Sequence, residues 1–194
     1  PLIWDKQLKA FVDTAPPLLY GPAIEAYGDT EGYVHDNALE AWRKVWPARL
    51  YLYHEGGECA GITGGWDAYP YKLTGWGSEL APTLVKGVSD MSASMQSPYA
   101  GAVATCATIQ IDRFGKLCAI CSGSAQIHSG VTLCLAPVIS ESQREVAVYS
   151  VIDMGTTKTD EQIIADISQI SGSQHVIFRM VANCNVTIKQ VWLE

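Results

Sequence analysis

Glu145-Val-Ala-Val-Tyr-Ser-Val-Ile152 decides the fold class. Val146, Val148, Val151 and Ile152 are β-branched and Tyr149 is aromatic, a composition that fits a pleated, half-buried surface. Upstream, Leu117–Cys121 and Val131–Leu135 are short apolar runs with Gly123 and Gly130 marking turns between them. Leu50–Tyr53, Leu84–Val88, Met91–Met95 and Val103–Ile111 precede these. Ile163–Ile167, Val176–Met180 and Asn185–Leu193 follow. About nine short strands with turn chemistry between them predict a mainly β protein built as a sandwich. Asp160–Ile170 also fits a helix, with Asp160 as N-cap and Ile163, Ile164, Ile167 and Ile170 on one face. Its β-branched residues and the Ser171-Gly172 turn favour the strand.

Residues 1–48 read differently and form a predicted N-terminal arm, with the β domain over 49–194. The arm holds Trp4, Trp42 and Trp46, and it is punctuated by Pro16-Pro17 and Gly21-Pro22. A helix is expected over about 36–45: Asp36 or Asn37 caps it, Ala38, Leu39, Trp42, Val45 and Trp46 share a face, and Pro47 stops it. A shorter amphipathic piece is expected over Trp4–Val12, with Pro16–Val34 as an extended linker. Leu39, Trp42, Val45 and Trp46 are the candidate oligomerisation residues. The alternative is that this helix covers an edge of the sandwich.

Composition narrows the function. The chain has 194 residues, 48% of them hydrophobic and only 17% charged. Thirteen Lys and Arg against 20 Asp and Glu give a net charge of −7. Without a basic cluster, nucleic-acid binding is not expected. No apolar run is long enough to span a bilayer, and Pro1-Leu-Ile-Trp-Asp-Lys does not open like a signal peptide. Most of the 6 cysteines lie in apolar runs and read as buried free thiols.

Signatures of catalysis are missing: no G-x-S-x-G, P-loop, H-E-x-x-H or G-x-G-x-x-G occurs. His35, His54, His128 and His175 are dispersed and read as ordinary hydrogen-bonded residues. Cys118 and Cys121 form a C-x-x-C without a second pair, and on a strand they point to opposite faces. The protein is therefore expected to be a non-enzyme, with no cofactor. Asn185-Val186-Thr187 matches a glycosylation sequon and is given no weight.

The aromatic set carries more. The chain has 9 Tyr and 6 Trp against 3 Phe. Tyr and Trp join a flat apolar ring to a polar edge, which suits half-exposed binding positions. Trp66, Tyr69, Tyr71 and Trp76 cluster in glycine-rich sequence beside Asp67 and Glu79, with Glu58 and Tyr51–Tyr53 nearby. A sugar offers C–H groups on a ring face and hydroxyls on its rim, so this set is the candidate carbohydrate-binding site. The alternative is that Trp66 and Trp76 plug an end of the sandwich. Trp192, alternating with Ile188 and Val186, reads as core.

Leu50-Tyr-Leu-Tyr-His-Glu-Gly-Gly-Glu-Cys-Ala-Gly-Ile-Thr-Gly-Gly-Trp66, Ile109-Gln-Ile-Asp-Arg-Phe-Gly-Lys-Leu-Cys118, and Ile163 through Arg179 with its Asp166-Ile-Ser-Gln-Ile-Ser-Gly turn resemble structural proteins of tailed phages and prophages of gut Firmicutes. The closing Val186–Glu194 is similar to their last strand. The resemblance spans about residues 50–194 and implies a galactose-binding-like jelly roll. It departs from the pattern at Gln169-Ile170 and at His175, where an aromatic is usual. It further implies a virion protein of the tail-fibre or head-decoration type, assembled in the host cytoplasm, attached to other virion subunits through the arm and oligomeric, a trimer being favoured. Its sandwich would bind host-surface glycan or serve as pure decoration. Similar jelly rolls occur as carbohydrate-binding modules of glycan-active enzymes. Such folds often hold a structural calcium, for which no ligand set is matched here.

Overall fold

The computed structural model describes residues 50–54, 65–112 and 114–194, together with the backbone of strands at 2–5, 10–13, 18–19, 33–36, 41–44 and 57–58. The chain divides into two compact units, Pro1–Arg49 and Leu50–Glu194.

In the first unit, β1 (Leu2–Asp5) and β2 (Ala10–Asp13) form an antiparallel pair. β3 (Leu18–Leu19), β4 (Tyr33–Asp36) and β5 (Ala41–Lys44) form a sheet in the order β3-β5-β4. This corrects the helix expected over 36–45 and the amphipathic piece at 4–12. Tyr33, Val34 and Trp42 belong to the types that strands favour, and cross-strand pairs such as Val34 with Arg43 and His35 with Trp42 give the backbone its partners. A lone helix of roughly ten residues has little stability of its own. Leu39, Val45 and Trp46 lie outside the described residues, as does the side chain of Trp42.

The second unit is a β-sandwich. Its strands are β6 (Leu50–His54), β7 (Gly57–Glu58), β8 (Trp66–Pro70), β9 (Thr83–Lys86), β10 (Met91–Met95), β11 (Ala100–Thr105), β12 (Ile109–Gln110), β13 (Lys116–Ala125), β14 (Gly130–Ala136), β15 (Ala147–Ile152), β16 (Thr157–Asp166), β17 (Ser173–Val181) and β18 (Cys184–Leu193). A seven-stranded sheet runs β16-β13-β18-β10-β9, with β6 beside β18 and β7 beside β6. A six-stranded sheet runs β15-β14-β17-β11-β8, with β12 beside β17. All ladders are antiparallel. The ambiguous segment at 160–170 is strand as far as Asp166, then turns at Ser168-Gln169.

Alternation places one face of each strand in the core. From the six-stranded sheet come Val103, Leu133, Leu135, Val176, Phe178 and Met180, and from the other Met91, Ala93, Leu117, Ala119, Val186 and Ile188. Aligned β-bulges bend the seven-stranded sheet. β16 carries one extra residue between the partners of Cys121 and Gly123, and β18 carries Lys189 between the partners of Ile120 and Cys121. Asp160 takes φ 49° there. It accepts the Ser122 hydroxyl at 2.8 Å and pairs with Lys189 at 2.7 Å.

Cys121, Cys134 and Cys184 are buried free thiols, and Cys118 is buried too. Burial pushes the Cys184 thiol up to about 11 and holds Cys121 higher still. Cys121 belongs to the inter-sheet core and Cys118 does not, as expected for opposite faces of β13. Trp192 is buried too, outside that core; its indole N–H donates to Glu194 Oε2 at 3.1 Å, and its ring lies 6.1 Å from that of Tyr51.

Candidate functional site

The outer face of the six-stranded sheet is built from the alternate residues of its strands. Register sets Tyr69 opposite Ala102 and Asp67 opposite Ala104. Ala102 lies opposite Arg179, and Ala104 opposite Ile177. Thr132, Cys134 and Ala136 then face Arg179, Ile177 and His175. Small residues in the middle leave a trough, and Tyr71 fills it. Tyr71, Ala102, Ala104, Cys134, Ala136 and Ile177 form a second buried cluster, with Ile139 and Tyr69 packed against it.

The covering loops are tied to each other and to the sheet. Lys72 N–H donates to Ser140 O at 3.1 Å, Ser142 N–H to Lys72 O at 2.9 Å, and Thr74 N–H to Ser142 Oγ at 3.2 Å. Beneath them, Arg179 Nη1 lies 2.8 Å from both carboxylate oxygens of Glu145, and Nη2 donates to Thr132 Oγ1 at 3.3 Å. The Tyr71 hydroxyl donates to Glu145 Oε1 at 3.0 Å. Burial first, then the Glu145 carboxylate, holds the Tyr71 phenol far above its ordinary range. The Glu145 and Arg179 side chains are only 5% and 16% exposed. Their pairing is a latch, since an ion this desolvated needs its partner.

Polar groups remain open at one end of this face. Asp67 is exposed, and its Oδ1 accepts the Ala68 N–H at 2.8 Å. Tyr69 is half-buried, with its hydroxyl 3.5 Å from Cys106 Sγ. Burial leads, helped by Cys106 and the Asp67 charge, in pushing the Tyr69 phenol up to about 12. The half-buried His175 has Nδ1 2.7 Å from Thr105 O. A carbonyl only accepts, so Nδ1 carries the proton in the neutral ring and Nε2 is left as an acceptor. Asp67, Tyr69, Cys106 and His175 thus lie toward the end of this face where β8 begins, β11 ends and β17 passes from β12 to β11. Among the described residues, no group of three or more His, Cys, Asp or Glu side chains is placed to hold a metal. No helix among them is long and apolar enough to cross a membrane.

The structure divides the six residues singled out from sequence. Trp66 is fully buried, its indole N–H donates to Leu52 O at 2.9 Å, and its ring lies 5.9 Å from Phe178. This corrects its reading as a sugar platform: Trp66 opposite Thr105 points into the core. Tyr71 is likewise fully buried, as the trough's filling. Tyr69 and Asp67 share the outer face as a binding pair would. Trp76, half-buried, and Glu79, exposed, belong to the covering loop, where Trp76 N–H donates to Leu73 O at 3.0 Å. Among the described residues, no hydrogen bond joins either side chain to Tyr69 or Asp67. Cys106, Glu145 and Arg179 are not singled out as site residues by the sequence, and His175 reads there only as an ordinary hydrogen-bonded residue. Each stands alone in sequence, and only sheet register brings them to this face.

The class defined by fold and site is a two-sheet antiparallel β-sandwich with a polar–aromatic patch on one outer face. No protein-family model matches the sequence, and no curated protein does. Solved structures with a similar arrangement include a family 29 carbohydrate-binding module complexed with mannohexaose, 17% identical, covering 75% of this chain and 90% of that chain at a TM-score of 0.45. Another is the K1 cleaved adhesin domain of Lys-gingipain from Porphyromonas gingivalis W83, 14% identical, covering 76% and 98% at a TM-score of 0.43. Similarities of this size place no residue role and no ligand on this chain.

Proposed function

We propose that this chain is a non-catalytic, glycan-binding β-sandwich whose site is the patch of Asp67, Tyr69, Cys106 and His175. The pose of Tyr69 carries the reading. Its phenol is anchored against a buried cluster and at Cys106, yet the residue is not fully buried. The Asp67 carboxylate projects from the same face two residues away. A pre-ordered aromatic beside an exposed acceptor suits the apolar face and hydroxyl rim of a sugar, and it costs little side-chain entropy on binding.

The test is calorimetric titration of the full chain with a panel of bacterial-surface polysaccharides and oligosaccharides. Single shallow sites of this kind are expected near Kd of about 0.1–1 mM. Tyr69→Ala and Asp67→Asn should each weaken binding about 10-fold or more, with unchanged circular dichroism, whereas Trp76→Ala should not. Binding indifferent to both substitutions, or none at millimolar protein, overturns the reading. Release of reducing sugar overturns its non-catalytic part.

The finer reading is a phage virion component that shows this face to a host cell. It rests on the motif resemblance of residues 50–194. Peptides of this chain in purified phage particles would support it. Their absence, with the chain found fused to a glycan-active enzyme, would favour a carbohydrate-binding module.

A further inference from the structure

The four strands that end the two main sheet paths are not alike. β8 presents exposed Asp67 and Pro70. β9 follows Pro82 and ends at exposed Lys86. β16 carries Lys158, Asp160 and Glu161 and is broken by its bulge. These are the charges, prolines and irregularities that keep sheet edges from pairing with other chains. β15 has neither charge nor proline over Ala147–Ile152. Its one bulge, at Val151, lies past the regular run that pairs Ala147–Ser150 with β14. Val148 on it and Val146 just before it, whose N–H donates to Leu135 O at 2.8 Å, are each 49% exposed.

We infer that the β15 edge is an interaction surface, and that its partner is β15 of a second copy of this chain. The edge is self-complementary. Antiparallel pairing about a two-fold axis at Val148 sets Val148 against its own counterpart and Val146 against Ser150, so no charge is buried. The two ends of the strand carry opposite charges. Arg144 precedes it, ion-paired with Glu141 at 3.6 Å, and Asp153 follows it, ion-paired with Lys158 at 3.4 Å. Two-fold pairing brings the Arg144 end of each copy to the Asp153 end of the other. Glu145 is turned inward onto Arg179, and Asp166 of β16, whose backbone carbonyl accepts the Tyr149 hydroxyl, lies on the side of Tyr149 rather than of Val148. The joined edges make one sheet continuous through both copies. A run this short gives a weak, reversible dimer.

Sedimentation velocity of the full chain from about 1 to 500 µM tests this. The wild type should associate with concentration. Val148→Lys should be monomeric with an unchanged circular dichroism spectrum, because like charges would face across the axis. Arg144→Asp should weaken association about 5-fold, and Arg144→Asp with Asp153→Arg should restore it by exchanging the charges. A wild type monomeric throughout overturns the proposal, as does association that survives Val148→Lys. A double variant no better than Arg144→Asp also overturns it, since only antiparallel self-pairing joins those two ends.

Discussion

Removing the Glu145 carboxylate tests how the covering loops are held. Glu145→Ala deletes two 2.8 Å contacts to Arg179 and the 3.0 Å bond from Tyr71. Arg179 would keep only the 3.3 Å bond to Thr132, and its Nε already lacks a partner. Breaking one side of a buried pair costs about 3–5 kcal/mol. Since Arg179 retains 16% exposure, the lower end applies, about 3 kcal/mol. Tyr71→Phe removes one hydrogen bond to a charged acceptor and should cost about 1.5 kcal/mol. Replacing the pair by Leu at 145 and Met at 179 should recover most of the loss, because a buried ion pair is often no better than apolar packing. Urea denaturation followed by tryptophan fluorescence gives the three values, and the melting temperature of Glu145→Ala should fall by roughly 6–12 °C. A cost for Glu145→Ala below about 1 kcal/mol would refute the latch. A double variant as unstable as Glu145→Ala would show that shape, not charge, holds the loops.

Two further outcomes follow from the same faces. Spectrophotometric titration at alkaline pH should show, below the still later Tyr71 phenol, a phenol titrating near pH 12 that Tyr69→Phe removes. Its pKa is raised from 10.0 to about 12 in the fold, so its contribution to stability is complete below pH 10 and is lost as pH rises toward 12. Gly123→Ala should destabilise strongly, by about 2 kcal/mol or more on urea denaturation, because a Cβ there would lie 2.3 Å from the Asn185 carbonyl oxygen, a backbone atom that cannot swing aside.

The β domain was legible because its apolar residues alternate. β18 shows how far that goes: Cys184, Val186 and Ile188 face inward, then the step lengthens and Val191 and Leu193 take over. Lys189-Gln190 marks the break in phase, and the bulge sits there. The arm was misread because Leu39, Trp42, Val45 and Trp46 fit helical spacing, while the pairing of β4 with β5 is a relation between segments that periodicity within one segment does not contain. The candidate site was half legible. Clustered aromatics led to Tyr69 and Asp67, which lie on β8 itself. They misled at Trp66, one residue from Asp67 and therefore on the opposite face. Cys106 reaches the patch because β11 pairs with β8, and His175 because β17 pairs with β11.

The bulges beside Ser122 carry a historical consequence. Removing Lys189 would leave β18 with unbroken alternation from Ile188 through Gln190 to Val191. Removing Asp160 would let Thr159 face Ser122 alone. Each position therefore behaves as a one-residue insertion that the fold could lose. The two touch each other, Lys189 Nζ lying 2.7 Å from Asp160 Oδ1. Gain and loss at 160 and 189 should have travelled together through descent, and relatives that lack one residue should lack both.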